Sequence, residues 1–402
     1  MSSTTGADKP RKQEQEPASN EITEVAPGIL RMQLPISLPG LGHVNCYALE
    51  DANGVAVVDP GLPGEQSWRA LVQRLTAAGF PVRRVHTAVV THSHPDHYGG
   101  GHRLREEGGA RILTHRSFRN WWDFAGDEAM ADTDDGPSNS DGSSNPMGPG
   151  DGHRPDGVGD LELDPVAVIE TADQPGTEPT PPEPAPASRA GAMLRLHAPW
   201  ARRPSSSEVV RLRATLVERG SSPLLRPPVP DRRVDHGERV VLAGREWLAV
   251  HTPGHTPDHL CLFDPTEGVV LSGDHVLPTI TPHIAGIAAG VDPLQRFFTS
   301  LDLMVTLEGV TVALPAHGHP FADLAGRAEA IKTHHRERLD RLRRVLADVG
   351  PASVEELSHH LFPERSWGPM AESETYAHLE HLRLAGALGR ADDAGLLTYT
   401  LT

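Results

Sequence analysis

The sequence predicts an α+β fold, an αββα sandwich in which two stacked β-sheets are flanked by helices, followed by a small C-terminal domain of winged-helix type. Three observations carry the prediction. Short apolar runs of strand length recur in two clusters, one from Ile29 to Thr114 and one from Val240 to Leu314, and turn residues punctuate both. Helical spacing falls between strands rather than in one block, which puts helices on the outer faces of the sheets. Beyond residue 322 the pattern changes to three helices ending in a hairpin-like tail.

Taken in order, residues 1–20 are polar and charged with no apolar central region, so they read as a disordered tail and not as a secretory signal. The main domain spans residues 21–322. Its first strands are Ile29–Leu34, Val44–Leu49 and Gly54–Val58, joined by hairpins. Gln66–Gly79 spaces Trp68, Leu71 and Leu75 along one helical face and stops on a glycine, after which Arg84–Val90 is a strand. Gly99–Glu107 is helical and Ala110–Thr114 is the next strand. From Gly126 to Ala192 the periodicity disappears into acidic, Pro/Gly/Ser-rich sequence that buries too little apolar surface to offset its ordering entropy, which predicts a disordered insertion at 126–192. Ser207–Arg219 is helical again and would serve as a lid or cap beside the site. The second half supplies strands at Val240–Leu242, Glu246–Val250, Leu260–Phe263, Val269–Ser272 and Thr311–Leu314. In residues 323–402, helices at Ala325–Val349, Ser353–Leu361 and Ser373–Ala385 precede a hairpin at Leu388–Leu401, the order of a winged helix.

The formal net charge of −17 is concentrated, because residues 126–192 hold 15 acidic side chains against two arginines. The remainder therefore says little about the charge of a partner. No apolar run reaches the length needed to span a bilayer, so no membrane partner is expected and cytoplasmic residence is the default. Cys46 and Cys261 both lie in strand-like apolar runs, where buried free thiols are expected rather than a disulfide or a nucleophile.

The chemistry is densest in Thr91-His92-Ser93-His94-Pro95-Asp96-His97, directly after the apolar run His86–Val90. Imidazole nitrogens and carboxylate oxygens together suit zinc or similar first-row metals. His92 and His94 alternate while Asp96 and His97 are adjacent, so a strand-end loop running into a helix start could aim one pair at each of two metals. Three more donors stand at strand ends on Gly- and Pro-containing turns: His255 after Pro253-Gly254, Asp274 after Ser272-Gly273, and His317 after Pro315-Ala316. A rigid sheet fixes such donors, and small residues let the backbone approach an ion.

With these residues the chain resembles the metallo-β-lactamase fold superfamily of hydrolases over residues 22–322, apart from the insertion. Its five motifs occur in order: Asp59 in Val57-Val58-Asp59-Pro60-Gly61, then Thr91 to His97, Pro253-Gly254-His255-Thr256, Ser272-Gly273-Asp274-His275 and Pro315-Ala316-His317-Gly318. Carried over residue by residue, the resemblance implies that His92, His94 and His255 hold a first metal and Asp96, His97 and His317 a second. Asp274 would bridge the two, and Asp59 would orient the metal loop through hydrogen bonds. The implied cofactor is two Zn²⁺, and iron or manganese fits the same ligands. Asp274 stands where β-lactamases of the commonest subclass carry Cys. That favours the branch resembling hydroxyacylglutathione hydrolases, lactonases and related esterases over penicillin-type substrates. Gly273–Pro282 and the helical C-terminal domain further resemble the subgroup of the β-lactamase-like protein 2 endoribonucleases. The interval from His97 to His255 is longer than is usual in the family, and the insertion accounts for the excess.

The resemblance implies a dinuclear metal-dependent hydrolase acting on a small molecule, a carboxylic ester, thioester or lactone. A metal-bound hydroxide would attack the carbonyl carbon, since binding lowers the pKa of water to about 7. Asp96 or Asp274 would be the catalytic group that accepts or relays the proton. A metal-dependent endoribonuclease or phosphodiesterase is the alternative that the winged helix raises, and a metal-loaded nucleic-acid-binding regulator is the non-enzymatic one. Charge disfavours nucleic acid: residues 323–402 carry 13 acidic and 10 basic side chains, and the would-be recognition helix holds Glu372, Glu374 and Glu380. The C-terminal domain reads instead as a packing module that helps wall the pocket or joins two copies in a homodimer. Candidate substrate contacts are His43 on a hairpin overhanging the site, Tyr98 directly after the metal motif, and His275 beside Asp274. Each has a rim or packing role as its alternative.

Overall fold

The computed structural model describes residues 12–38, 40–119, 198–201, 227–286, 291–393 and 395–402. The insertion expected at 126–192 and the cap helix expected at Ser207–Arg219 lie outside the described residues.

Strands β1 (Ile22–Ala26), β2 (Ile29–Leu38), β3 (Leu41–Asp51) and β4 (Gly54–Val58) form an antiparallel meander. Helix α1 (Glu65–Ala77) leads to β5 (Val85–Val89), and α2 (Pro95–Tyr98) and α3 (Gly101–Gly108) lead to β6 (Arg111–His115). With β7 (Arg232–Val234), β4 to β7 pair in parallel and complete a seven-stranded sheet in the order β1 to β7. The second sheet has β8 (Arg239–Leu242), β9 (Arg245–His251), β10 (Leu260–Asp264) and β11 (Val269–Gly273). Helix α4 (Pro293–Val305) then carries the chain to β12 (Val312–Pro315), which pairs in parallel with β11 at the end of the order β12-β11-β10-β9-β8.

The two-residue period of each strand sets the layering. In β3, Tyr47 and Leu49 enter the cluster between the sheets with Trp247, Leu262 and Leu271, whereas Cys46 and Ala48 face Trp68, Leu71 and Leu75 of α1. Strand β4 divides likewise, with Ala56 and Val58 between the sheets and Val55 and Val57 toward the helix. On the far side, Val250, Cys261, Phe263 and Val270 pack against Phe297 and Leu301 of α4. The result is the four-layer αββα arrangement, and full burial of each Leu- or Phe-sized side chain stabilises it by about 1.5–3 kcal/mol.

Residues 323–402 form α5 (Leu324–Val349), α6 (Val354–Leu361) and α7 (Pro369–Leu384), with β13 (Ala352–Ser353), β14 (Leu388–Asp393) and β15 (Leu396–Leu401) in a sheet ordered β13-β15-β14. Ile331 and Leu342 of α5, Leu379 of α7 and Tyr399 of β15 belong to the same buried cluster as Phe297 and Val270. This C-terminal unit therefore shares the outer core of the second sheet. Sequence reasoning passed over β1, β7 and α4, although Asp292 caps α4 by accepting from the Gln295 N–H and Pro293 occupies its first turn.

Residues 12–20 correct the expectation of a free tail. Glu14 is fully buried, and its carboxylate accepts hydrogen bonds from the backbone N–H of Thr279 (2.8 Å) and Ile280 (3.1 Å). The Ser19 N–H donates to Gln33 at 2.8 Å, and the Arg74 guanidinium donates to the Ser19 carbonyl at 3.0 Å. Composition suggests disorder here because the segment has little apolar surface to bury; its order comes from hydrogen bonds to distant parts of the chain. Among the described residues, no helix is long and apolar enough to cross a membrane.

Candidate metal centre

Five strands of the two sheets end at one rim. Asp59 follows β4, the Thr91–His97 loop follows β5 and runs into α2, His255 lies on the loop after β9, Asp274 follows β11, and His317 lies just beyond β12. Ligand-type atoms of His92, His94, His255 and Asp274 lie within 4.8 Å of one another, as do those of Asp96, His97 and His317. Within the first group, His94 Nδ1 is 3.0 Å from His92 Nε2 and 3.1 Å from His255 Nε2. Within the second, Asp96 Oδ2 is 3.4 Å from the Nε2 atoms of both His97 and His317. Asp274 reaches both groups: Oδ2 is 3.6 Å from His255 Nε2 and 3.5 Å from His97 Nε2, and Oδ1 is 3.3 Å from His317 Nε2.

The outer nitrogens show which way the lone pairs point. His97 Nδ1 donates to Asp59 Oδ2 (2.9 Å), His255 Nδ1 to the His283 carbonyl (2.7 Å), and His317 Nδ1 to the His43 carbonyl (2.6 Å). Each acceptor can only accept, so each ring keeps a proton on its outer nitrogen, and Nε2, turned inward, is the atom it offers once the ring is neutral. His97 Nε2, His317 Nε2 and Asp274 Oδ1 are buried with no hydrogen-bond partner. Imidazole nitrogens and carboxylate oxygens converging in a buried place, with these atoms lacking a well-formed hydrogen bond, fit a divalent cation that would displace the protons.

Electrostatics agree with that fit. Burial would push the Asp96 carboxyl up, but His97 and His317 outweigh it and hold it below the usual carboxylate range. Asp274 is likewise depressed by His317 and His97 against the effect of burial. Burial, then His255, lowers His94 to about 3, and burial with His97 and His94 lowers His92, so both stay neutral. His317 is the reverse case: burial would lower it, but Asp274 and Asp96 raise it to about 10. Burial would lower His97 too, but Asp96, Asp274 and Asp59 raise it, so the second group stabilises positive charge, carried by protons on His97 and His317 until a cation replaces them, and the first presents neutral imidazoles.

The Asp59 carboxylate accepts from the Thr91 N–H (2.9 Å) and Thr91 Oγ1 (2.8 Å) as well as from His97, which ties the start and end of the metal loop to one side chain. Its φ of 54° turns it back toward the loop. Ser93 Oγ donates to Asp258 Oδ1 at 3.1 Å and so links this loop to the one carrying His255. His259 escaped sequence reasoning. Its Nε2 accepts from the Asp274 N–H at 3.0 Å while Nδ1 meets Thr252 Oγ1 at 2.7 Å. Gly273, at φ 51°, is what admits it, since a Cβ there would lie 2.6 Å from His259 Nε2. The one signal available was Thr256-Pro257-Asp258-His259, which echoes His94-Pro95-Asp96-His97.

The candidate substrate contacts need correction. His43 is fully buried within β3: Nδ1 donates to the Glu16 carbonyl (2.7 Å) and Nε2 accepts from the Gly318 N–H (3.1 Å), so it braces the His317 loop. Gly40 and Gly42 suggest a hairpin overhanging the site, yet β3 begins at Leu41 and carries His43 inside the sheet. Tyr98 is 2% exposed and packs with the core beneath α1, because the turn of α2 carries it to the face opposite Asp96. His275 is fully buried with its ring edge-on to Phe297 at 5.1 Å, since the turn after Asp274 sends the next side chain under α4. None of the three offers surface to a substrate.

Known proteins resemble this chain in varying measure. The family model described as the Metallo-beta-lactamase superfamily matches residues 39–349. A solved metallo-beta-lactamase family protein from Thermus thermophilus is similar with a TM-score of 0.66 and 29% identity, covering 94% of this chain and 100% of that one. A beta-lactamase domain protein from Burkholderia ambifaria gives a TM-score of 0.64 at 24% identity, covering 96% of each chain, and shows the fold alone. Among curated relatives, lactamase-like protein nscB of Aspergillus fumigatus is 32% identical over 121 residues, 30% of this chain and 34% of that protein. Atrochrysone carboxyl ACP thioesterase of the same organism is 30% identical over 116 residues, 29% of this chain and 26% of that protein. The matched stretch thus spans about a third or less of these curated relatives. The family match runs through all five donor-bearing strand ends, and the chain belongs to the metallo-beta-lactamase superfamily.

Proposed function

We propose that the chain is a dinuclear metal-dependent hydrolase of acyl compounds, with thioesters foremost and carboxylic esters and lactones in the same class. The observation that carries this is the inward convergence of the Nε2 atoms of His97, His255 and His317 on the carboxylates of Asp96 and Asp274. His92, His94 and His255 would hold one ion and Asp96, His97 and His317 the other, with Asp274 shared. Zinc suits these donors, and iron or manganese would also be accepted. When bound, the ions supply Lewis acidity and a nucleophile at neutral pH.

The chain's own groups do the rest. Asp59, the His43 carbonyl and the His283 carbonyl fix the tautomer and aim of three rings, so little reorganisation is needed as charge develops at the reacting carbon. Asp96 turns Oδ2 toward His97 and His317, and its carboxylate or that of Asp274 would accept or relay the proton of the attacking water to the leaving group. The thioester emphasis is supported by the relative named a thioesterase. Purified protein should contain close to two equivalents of divalent metal and hydrolyse acyl thioesters, and His94→Ala should abolish turnover. Fewer than one equivalent, or His94→Ala hydrolysing thioesters and esters at the original rate, would sink the proposal. Cleavage of phosphodiesters or single-stranded RNA with no acyl hydrolysis would replace the substrate class.

A further inference from the structure

The loop that runs from Asp274 to Gly286 leaves the metal centre and is gripped by the C-terminal unit at three places. Arg327 of α5 donates through Nε to the Leu277 carbonyl and through Nη2 to the Ile280 carbonyl, both at 2.6 Å. Ser373 Oγ of α7 accepts from the Gly286 N–H at 3.1 Å, and the approach is so close that a Cβ on Gly286 would stand 2.6 Å from the Ser373 carbonyl oxygen. Between these points His283 Nδ1 donates to Glu374 Oε2 of α7 at 3.3 Å. Glu374 in turn pairs through Oε1 with Arg338 of α5.

We propose that Glu374, held by Arg338, is a positioning residue for the metal centre: it fixes His283, and the His283 carbonyl fixes the ring of His255. This inference rests on the dinuclear reading above. His255 is the one first-group histidine whose outer nitrogen is held by the loop that the C-terminal unit grips. Movement of the His283 backbone would rotate the imidazole and withdraw Nε2 from His94 and Asp274. Glu374 is 7% exposed, and the side chain of Arg338 18%. An ion pair this dry holds its geometry, because either partner alone would be a buried charge. A bidentate-capable guanidinium on one oxygen leaves the other free for His283.

Behind Glu374 stand His378 and His335. His378 Nδ1 donates to the Glu374 carbonyl at 2.7 Å, so His378 Nε2 accepts from His335 Nδ1 at 3.0 Å. Ligand-type atoms of His335, Glu374 and His378 lie within 4.8 Å of one another. A third metal there would have to share the carboxylate with the Arg338 cation in a buried place, which Coulomb repulsion opposes. The cluster is a hydrogen-bonded buttress that stiffens α7 where it meets the loop.

The test is Co²⁺ titration of the full chain followed by absorption spectroscopy, with far-UV circular dichroism of the metal-free proteins as a folding control. Wild type should take up two equivalents. In Glu374→Ala and His283→Ala one equivalent should weaken about 10-fold or more, the range for lost outer hydrogen bonds to a metal ligand, while the other stays within about twofold. Glu374→Gln, which keeps an oxygen for His283, should fall between, and the double variant should be no weaker than the worse single one. Equal weakening of both equivalents, or unchanged affinity in folded variants, overturns the positioning role alone. A third wild-type equivalent lost in Glu374→Ala also overturns it, in favour of a metal at the buttress. Wild type binding less than one equivalent overturns the dinuclear reading and this inference together.

Discussion

Asp59→Asn isolates what the carboxylate behind the metal loop contributes. Asp59 receives three donors with two oxygens, from the Thr91 N–H, Thr91 Oγ1 and His97 Nδ1. Asparagine has one carbonyl oxygen. Placed at the Oδ2 position, it keeps Thr91 Oγ1 and His97 but sets its NH₂ against the Thr91 N–H. Turned the other way, it loses both and retains one. Backbone strain does not change, because asparagine tolerates the φ of 54° as readily as aspartate. Each lost hydrogen bond to a charged group costs about 1.5–3 kcal/mol, which corresponds to a factor of about 10 to 100 in an equilibrium constant. A thermodynamic cycle divides that cost: the part present in the metal-free fold lowers its melting temperature, and the part that appears only when His97 must hold still lowers metal affinity. Metal affinity of the equivalent that His97 would hold should therefore drop by up to about 100-fold, with any shortfall visible as a lower melting temperature. Chelator-competition titration and calorimetry of the same samples measure both parts. If Asp59→Asn matched wild type in metal affinity and in metal-free melting, the carboxylate would not be orienting the loop.

Three further outcomes follow from buried groups. Burial raises the Asp258 carboxyl from the ordinary 3.8 to about 7, so the folded chain binds a proton that the unfolded chain gives up. Its stabilising contribution is full below pH 4 and is lost as pH rises through 7. Metal-free Asp258→Asn should accordingly gain melting temperature relative to wild type between pH 4 and 8, and a difference independent of pH would refute the shift. Cys46 and Cys261 are fully buried, and burial pushes the Cys261 thiol up to about 12; a thiol reagent at pH 8 should label neither until denaturant is added, and labelling of the native protein at the denatured rate would contradict that placement. Gly254 has φ 141°, and a Cβ there would meet Phe297 Cα at 2.5 Å, where only backbone could yield. Gly254→Ala should destabilise the fold by at least about 1–3 kcal/mol and weaken metal binding through the adjacent His255, which denaturant unfolding and Co²⁺ titration read separately.

Much of the fold was legible because its signals are local. The apolar runs of β3 and β4, whose alternate side chains enter two different cores, the glycine stop after α1 and the capping box at Ser353–Glu356 are each signals confined to a few neighbouring residues. What failed to show depends on distance along the chain. Residues 12–20 look unstructured by composition, and only the amide groups of Thr279 and Ile280, brought next to Glu14 by folding, give the segment its place. The sharing of one core by the C-terminal unit and α4 was invisible for the same reason: the apolar spacing of α5 predicts a buried face but not what covers it.

The candidate site separates along the same line, and its three outer hydrogen bonds show why. The inner donors could be found because each follows a strand within a few residues, on a turn rich in Gly and Pro. Of the acceptors that aim those donors, Asp59 is a side chain with a recognisable setting, and sequence reasoning found it. The other two are the main-chain carbonyls of His43 and His283. Any residue type carries a carbonyl, so no pattern marks these positions, and attention falls on their imidazoles instead. His43 reads as a substrate contact on that account, while its ring braces Gly318 and Glu16 so that its carbonyl can hold His317. The ring of His283 does the corresponding work for His255 through Glu374. In both cases the histidine side chain acts on the metal centre by fixing its own backbone, which predicts that His43→Gln, with an amide able to bond the Gly318 N–H or the Glu16 carbonyl but not both at once, should weaken the second-group metal while leaving the first-group equivalent unchanged in Co²⁺ titration.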